Sequence, residues 1–392
     1  MIASFEVLAP RRIVFGLGAS AGLATHLTTI GVADDAAILV VTGKDPSRHE
    51  GVLGPLRASR SLVVTTIAHE PSVEDAIAAV GLARAQGVRA VIGLGGGSAI
   101  DLGKAVSALV TNPNDPLDHL EVVGRGQPLV HDPLPFVAIP TTAGTGAEAT
   151  KNAVLTARTI DGSPVKVSLR SDRMVPALAL IDPSLAVSAP PSVTAATGLD
   201  ALVQVIEPYV SHAATPFTDA LCRDAIPRGA RALPRAFANG GDLEARSDMA
   251  LVSLYGGLAL ANAKLGAVHG FAGPLGGLVG APHGAICARL LPFVIETNLA
   301  AMRSRATESI ALARYDEVAR WVTGRSAARA DDVAHWAHAL LEALAIPTLS
   351  AMGLTAARIP EIVSQSARSS SMKGNPISLT EGELHEILER AL

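Results

Sequence analysis

The chain has 392 residues, 49% of them hydrophobic, which is enough to bury a sizeable core and long enough for two domains. A net charge of -4, with lysines and arginines scattered rather than striped, excludes a nucleic-acid partner held by a polyelectrolyte surface. Cys222 and Cys287 lie far apart, with no CxxC and no disulfide framework, so a reducing compartment, the cytoplasm, is expected.

The N-terminal stretch MIASFEVLAPRRIVFG lacks the uninterrupted apolar segment of a signal peptide. From 36 to 183, short aliphatic runs alternate with helical stretches: AAILVVT (36–42), SLVVTTI (61–67), VRAVIGLG (88–95), PFVAIP (135–140) and LALID (178–182). Strand alternating with helix predicts a parallel sheet. The run SVEDAIAAVGLARAQ (72–86) opens on Ser72 with an acidic first turn and closes at Gly87, the pattern of a crossover helix.

Two loops follow strands. The first, Gly95-Gly96-Gly97-Ser98, leads into a helix from Ala99 through Leu109 with Asp101 and Lys104 on its first turns. Glycines there let a backbone approach a pyrophosphate, whose charge is met by N–H groups and the helix N-terminus. It is not a GxGxxG fingerprint, because counting from Gly93 the third glycine falls on Ser98. The second loop, Pro140 to Gly146, offers the hydroxyls of Thr141, Thr142 and Thr145 beside flexible backbone.

After Asp182-Pro183, alanine and leucine dominate and helical periodicity runs to the C-terminus, with a boundary expected near 185 to 192, where Pro190-Pro191 breaks any continuous element. This divides the chain into an α/β domain, 1–188, and an all-helical domain, 189–392. The apolar stretch Ser253 to Ala281 contains Asn262, Lys264, His269 and Pro274, so it reads as a buried helix followed by a tight loop rather than a membrane span.

Asp200 and Gln204 are four apart in a helix-periodic stretch and project from one helix face. His269 and His283, each followed by glycine, must come from different elements or turns. Carboxylate and imidazole suit Zn or Fe(II), and a glutamine amide is a poorer, neutral ligand. Structural readings stand beside this one: Asp200 as a helix cap, Gln204 as an amide bonded to backbone, each histidine as a satisfied core residue. His49, His69, His119, His131, His212, His335 and His338 read as surface or packing residues, the last two as neighbours on a C-terminal helix.

The segments Thr194 to Ser211 (TAATGLDALVQVIEPYVS) and Asn262 to Gly284 (NAKLGAVHGFAGPLGGLVGAPHG), with the two N-terminal loops, resemble the iron-containing, group III alcohol dehydrogenases. The resemblance implies an N-terminal α/β dinucleotide-binding domain with a parallel sheet and an all-α C-terminal metal and substrate domain, the dehydroquinate synthase-like architecture. It maps the metal ligands of that family, an aspartate and three histidines, onto Asp200, Gln204, His269 and His283, with Gln204 departing from the pattern. A further histidine often found in the family, assigned to proton transfer, falls on Gly273. Gly95, Gly96, Gly97 and Ser98 match the family loop that holds the pyrophosphate, and Asp101 is placed with them in the cofactor site. Thr141, Thr142 and Thr145 match the adenine and nicotinamide-ribose side, and Lys166 a lysine near the cofactor. At Gly43, NAD-preferring members usually carry aspartate; its absence, with Lys44 and Arg48 nearby, favours NADP or dual use, although Asp45 is close by.

The activity implied by the resemblance is hydride transfer between NAD(P) and a small alcohol or aldehyde at a divalent-metal site, Fe2+ or Zn2+, in the cleft between the domains. Gln204 would make that site select a different ion, hold it loosely or work without one. A related branch, the maleylacetate reductases, reduces a keto acid without clear metal dependence and would need cations such as Arg170 or Lys264. A nucleotide-binding protein without turnover is a third reading. Family analogy suggests a homodimer, with no membrane partner.

Overall fold

In the computed structural model, residues 4–112, 115–121, 123–158, 162 and 164–392 are described. The chain divides into two compact units, one of Leu8–Thr142 and Gly146–Ser188, the other built on Ala189–Leu392 with Ala143–Thr145 and the N-terminal piece ending at Val7.

The first unit runs β1 (Ile13–Phe15), α1 (Leu23–Thr29), β2 (Ala37–Gly43), α2 (Glu50–Arg57), β3 (Ser61–Ile67), α3 (Val73–Ala85), β4 (Ala90–Gly95), α4 (Gly97–Thr111), the short α5 (Pro116–His119), β5 (Phe136–Pro140), β6 (Asn152–Arg158), β7 (Pro164–Arg170) and β8 (Leu178–Ile181). Among the described residues, a six-stranded parallel sheet has the order β1-β8-β5-β4-β2-β3. Successive side chains take opposite faces. Leu39, Val41, Val91 and Ala138 pack with α3 and α4, whereas Ile38, Val40, Ile92, Val137 and Ile139 pack with α1 and α2. With both faces covered, β2, β4, β5 and β8 read as continuous aliphatic runs, which is why they were visible in the sequence, whereas the edge strand β3 is mostly half-buried and was visible through its β-branched Val and Thr residues. The crossover helix α3 has its capping box between Ser72 and Asp75, and Gly87 follows it at φ 60.

The antiparallel hairpin β6–β7 was not expected as a pair of strands. It buries one face through Ala153, Leu155, Ala157, Val167 and Leu169, and its other face is only half-buried, so polar residues dilute the pattern. The sheet order also fixes where a ligand can sit. From β2 the chain moves outward to β3, and from β4 it moves the other way to β5, so the connections diverge at the C-terminal ends of β2 and β4. Such a divergence is the switch point at which open α/β sheets take ligands.

The second unit comprises α6 (Pro191–Val210), α7 (Pro216–Ala238), α8 (Leu243–Asn262), α9 (Ala267–Val279), α10 (His283–Arg305), α11 (Ile310–Thr323), α12 (Asp331–Ala343), α13 (Ile359–Ser366) and α14 (Glu381–Ala391). From Gly198 to Val210, α6 is buried on all sides, through Leu199, Leu202, Val203, Val205 and Ile206 among others. Each such side chain contributes roughly 1.5–3 kcal/mol on leaving water, and the hydrophobicity all round the helix is that of a central core element. The helix α10 is long and apolar enough by length and composition to cross a membrane, but 83% of its apolar window is buried among the other helices. In the stretch from Ser253 to Ala281 the buried helix is followed by a tight link, 263–266, as expected, and then by a second helix, α9, which was not expected. Between α8 and α9 the chain bends by 97°.

Candidate functional site

Helix α6 carries Asp200, Gln204 and Glu207 at spacings of four and three, so all three lie on one face. Asp200 stands in the middle of this helix, whose N-cap is Pro190, which removes the helix-cap reading. His269 belongs to the first turn of α9 and His283 opens α10, as their separation required. The glycine after each histidine serves packing. A Cβ on Gly284 would stand 2.5 Å from the Ala196 carbonyl oxygen, and one on Gly270 would stand 2.7 Å from Met372 Cε. Gly284 thus lets α10 approach the backbone of α6 closely enough to bring His283 toward Asp200.

The Asp200, His269, His283 and Cys287 donor atoms all lie within 4.8 Å of one another. Asp200 Oδ1 is 3.4 Å from His269 Nε2 and 4.0 Å from His283 Nε2. The first pair is buried, and neither atom has a hydrogen-bond partner, because the two are not aligned for one. On its other side, His269 Nδ1 donates to Glu207 Oε2 at 2.7 Å, and Glu207 Oε1 accepts from the Val268 amide at 2.7 Å. A donating Nδ1 leaves Nε2 as the nitrogen whose lone pair is available, the arrangement that carboxylate-backed histidines adopt toward metals.

Gln204 Nε2 donates to Asp200 Oδ2 at 3.2 Å and to the Gly144 carbonyl at 3.3 Å, and its Oε1 is buried without a partner. Gly144 reaches that position because it has no side chain: a Cβ there would stand 2.6 Å from Thr197 Cβ.

Burial alone would raise the Asp200 carboxyl, but the facing imidazoles of His269 and His283 hold it below the usual carboxylate range. Burial opposes a charge on His269, yet Cys287, Asp200 and Glu207 together lift its pKa well above that of a free imidazole. Burial pushes the Cys287 thiol up to about 12. The cluster therefore attracts positive charge, which a proton or a cation can supply.

The donor set fits a divalent metal. Two ligands of a tetrahedral zinc, at about 2.05 Å for nitrogen and about 2.1 Å for oxygen, are roughly 3.4 Å apart, and Asp200 Oδ1 and His269 Nε2 have that separation. Left unpaired, each buried atom costs about 1–3 kcal/mol. Sequence reasoning missed Cys287 and Glu207. The signal for the first was the four-residue spacing from His283, and for the second the seven-residue spacing from Asp200.

In the sheet unit, β4 ends at Gly95, Gly96 is the N-cap of α4, and Gly97 and Ser98 form its first turn, half-buried and with no acidic side chain. The Thr141 amide donates to the Gly95 carbonyl at 2.9 Å, and Gly96 lies beside Thr142. The two loops are thus neighbours at the switch point. Thr141, Thr142 and Thr145 are half-buried.

Gly43 ends β2 with open space where a side chain would be, and Lys44 beyond it is exposed. Asp45 accepts from the Ser47 amide, and Arg48 donates to the Ser188 carbonyl at 3.0 Å. Asp101, half-buried, accepts from the Val154 amide at 3.2 Å, and burial raises its carboxyl to about 6. Lys166 pairs with Glu70 at 2.8 Å. Arg170 lies 3.5 Å from Glu121, and Lys264 is exposed in the link between α8 and α9. His338 lies 3.0 Å from Glu296, and His119 is buried with Nδ1 on the Gln127 carbonyl.

Comparison with known proteins agrees with this architecture. A model of iron-containing alcohol dehydrogenase matches residues 10–183, and one of the Fe-containing alcohol dehydrogenase family, C-terminal, matches residues 194–392. Long-chain-alcohol dehydrogenase 1 of Geobacillus thermodenitrificans is 43% identical over 233 residues, 59% of this chain and 58% of that one. Another curated relative is matched over 64% of its length, so both of these are spanned over less than two thirds. Among solved structures, a 1,3-propanediol oxidoreductase superposes with a TM-score of 0.89 at 30% identity, covering 100% of each chain. A sulfoacetaldehyde reductase from Bifidobacterium kashiwanohense, in complex with NAD+, does so with a TM-score of 0.85 at 28% identity, covering 99% of each. Matched by family models through both its sheet and its helices, the chain belongs to the iron-containing alcohol dehydrogenase family.

Proposed function

We propose that this chain transfers a hydride reversibly between NAD(P) and a small alcohol or aldehyde, with Asp200, His269 and His283 holding a divalent cation. The observation that carries the reading is the buried, unpartnered pair of Asp200 Oδ1 and His269 Nε2, 3.4 Å apart. When bound, the cation supplies a Lewis acid for the substrate oxygen and the nicotinamide supplies the hydride carrier. Asp200 contributes the anionic oxygen, fixed by the Gln204 amide on its other oxygen. Glu207 orients His269 by accepting from Nδ1. Gly273 has no side chain, so the relay proton is left to water or to a ribose hydroxyl.

Gly95, Gly96, Gly97 and Ser98 are proposed to hold the pyrophosphate against the α4 N-terminus, with Thr141, Thr142 and Thr145 alongside. Support comes from their position at the switch point and from the NAD+ complex of the sulfoacetaldehyde reductase. Without a carboxylate at Gly43, the ribose side does not repel a 2'-phosphate, which favours NADP. The free, buried Cys222 and Cys287 fit the cytoplasm, and a homodimer is proposed by family analogy.

The test is metal analysis of the purified protein, with oxidation of NADPH and NADH followed against a panel of aldehydes and keto acids before and after chelation. Loss on chelation with recovery on Fe2+ or Zn2+ is expected, and Asp200→Asn should neither bind the cation nor turn over. Activity indifferent to chelators, in a protein that binds no cation, would overturn the metal reading.

A further inference from the structure

We propose that Cys287 is the fourth donor of the metal centre, ligating as a thiolate in place of the imidazole that Gln204 does not provide, with the substrate oxygen as a fifth ligand, and that it turns the centre toward zinc. The inference rests on the metal reading above and deepens it.

His283 and Cys287 lie one turn apart on α10, on the same helix face. Cys287 is fully buried, and its Sγ is 3.6 Å from His283 Nε2. A zinc ion with a sulfur at about 2.3 Å and a nitrogen at about 2.05 Å sets those two atoms roughly 3.6 Å apart in tetrahedral geometry. Two separations within the cluster therefore fit one ion, this one and the 3.4 Å between Asp200 Oδ1 and His269 Nε2. The 4.0 Å between Asp200 Oδ1 and His283 Nε2 is wider. Reaching tetrahedral spacing needs the His283 side chain, 32% exposed, to close on Asp200 by roughly half an ångström.

The Gln204 amide oxygen lies toward Gly256 of α8, 3.7 Å from where a Cβ on that glycine would stand. The amide nitrogen donates to Asp200 Oδ2 and to the Gly144 carbonyl. Turning the amide over would set its oxygen against the Asp200 carboxylate, so the donating orientation is the favourable one. Gln204 is then a positioning residue: by occupying Oδ2 it leaves Oδ1 to face His269 and the cation.

On ligation the Cys287 S–H bond breaks, its electron pair goes to the cation and its proton to solvent, with no change of oxidation state. One thiolate and one carboxylate neutralise a dication, whereas an amide in the same place would leave one positive charge. A soft sulfur donor beside two imidazoles favours zinc over iron(II), manganese or magnesium.

The test uses the whole 392-residue chain, stripped with a chelator and reloaded with Co2+, a spectroscopic substitute for zinc. The expected result is a thiolate-to-cobalt charge-transfer absorption in the near ultraviolet, present in the unmodified chain and in Cys222→Ser and absent in Cys287→Ser. In competition, the preference for Zn2+ over Fe2+ should fall at least tenfold in Cys287→Ser. The spectrum of the unmodified chain decides the matter even if the variant folds poorly. Cobalt bound without that absorption would overturn Cys287 as a ligand and leave the metal reading standing. No cobalt bound by the unmodified chain would overturn both.

Discussion

Glu207 Oε2 accepts a hydrogen bond from His269 Nδ1 at 2.7 Å, while Glu207 Oε1 accepts the Val268 amide at the same distance, so one carboxylate fixes both the start of α9 and the direction of its imidazole. Neither contact is local in sequence, since α6 and α9 are some sixty residues apart.

Replacing Glu207 by glutamine keeps one acceptor and turns the other into a donor facing an N–H. Cation affinity is expected to fall about 10–100-fold, as for other carboxylates behind metal-binding histidines. Titration against a competing chelator measures this, and an unchanged affinity would remove Glu207 from the positioning role.

Two glycines near the site make opposite predictions. At Gly284 a Cβ would stand 2.5 Å from the Ala196 carbonyl oxygen, and at Gly273 it would have nothing within 4 Å. Gly284→Ala is expected to push α10 off α6, lowering both Tm and cation affinity. Gly273→Ala, in a helix with room for the methyl group, is expected to raise stability by about 0.5–1 kcal/mol. Thermal unfolding of both variants tests the pair, and a destabilised Gly273→Ala would contradict the open space seen there.

Gly43 also has room for a side chain at the end of β2. Gly43→Asp is expected to weaken NADPH relative to NADH by roughly tenfold, about 1.4 kcal/mol, through repulsion of the 2'-phosphate and hydrogen bonding to the ribose hydroxyl. Binding of the two nucleotides followed by fluorescence provides the measurement. An unchanged ratio would mean that the ribose lies elsewhere.

Far from the site, Glu383 caps α14 through the Thr380 amide and pairs with Arg305 at 2.6 Å. The Arg305 guanidinium holds its pKa at about 2, below an ordinary value of 4.5. A depressed carboxyl contributes stability that is present above the unfolded-state pKa and lost as pH falls through the folded one. Unfolding free energy should therefore drop between pH 4.5 and about 2. In Glu383→Gln that part of the slope should flatten, and an identical acid profile in the two proteins would refute the pairing.

Much of the sheet unit was legible because its signals are local. A strand covered on both faces must be aliphatic throughout, which exposed β2, β4 and β5. The hairpin β6–β7 stayed hidden because only one of its faces is buried, so polar residues interrupt the run. The helix α9 beyond the break after Asn262 was hidden too, since composition alone does not distinguish a loop from a second helix when both halves are apolar.

By itself the sequence determined which residue types were available for chemistry: a carboxylate and an amide one helical turn apart, two histidines before glycines, and glycine-rich loops after strands. These come from spacing along one chain and from the fixed periods of helix and strand. Only the tertiary structure decided which donors meet. It set Cys287 beside His283 and Asp200, turned the Gln204 amide onto the Asp200 carboxylate, and put Glu207 behind His269. The physical reason is that these contacts depend on how closely α6, α9 and α10 pack, and that closeness needs side chains to be missing at Gly284, against the Ala196 carbonyl of α6, and at Gly266, where a Cβ would stand 2.8 Å from Glu207 Oε1.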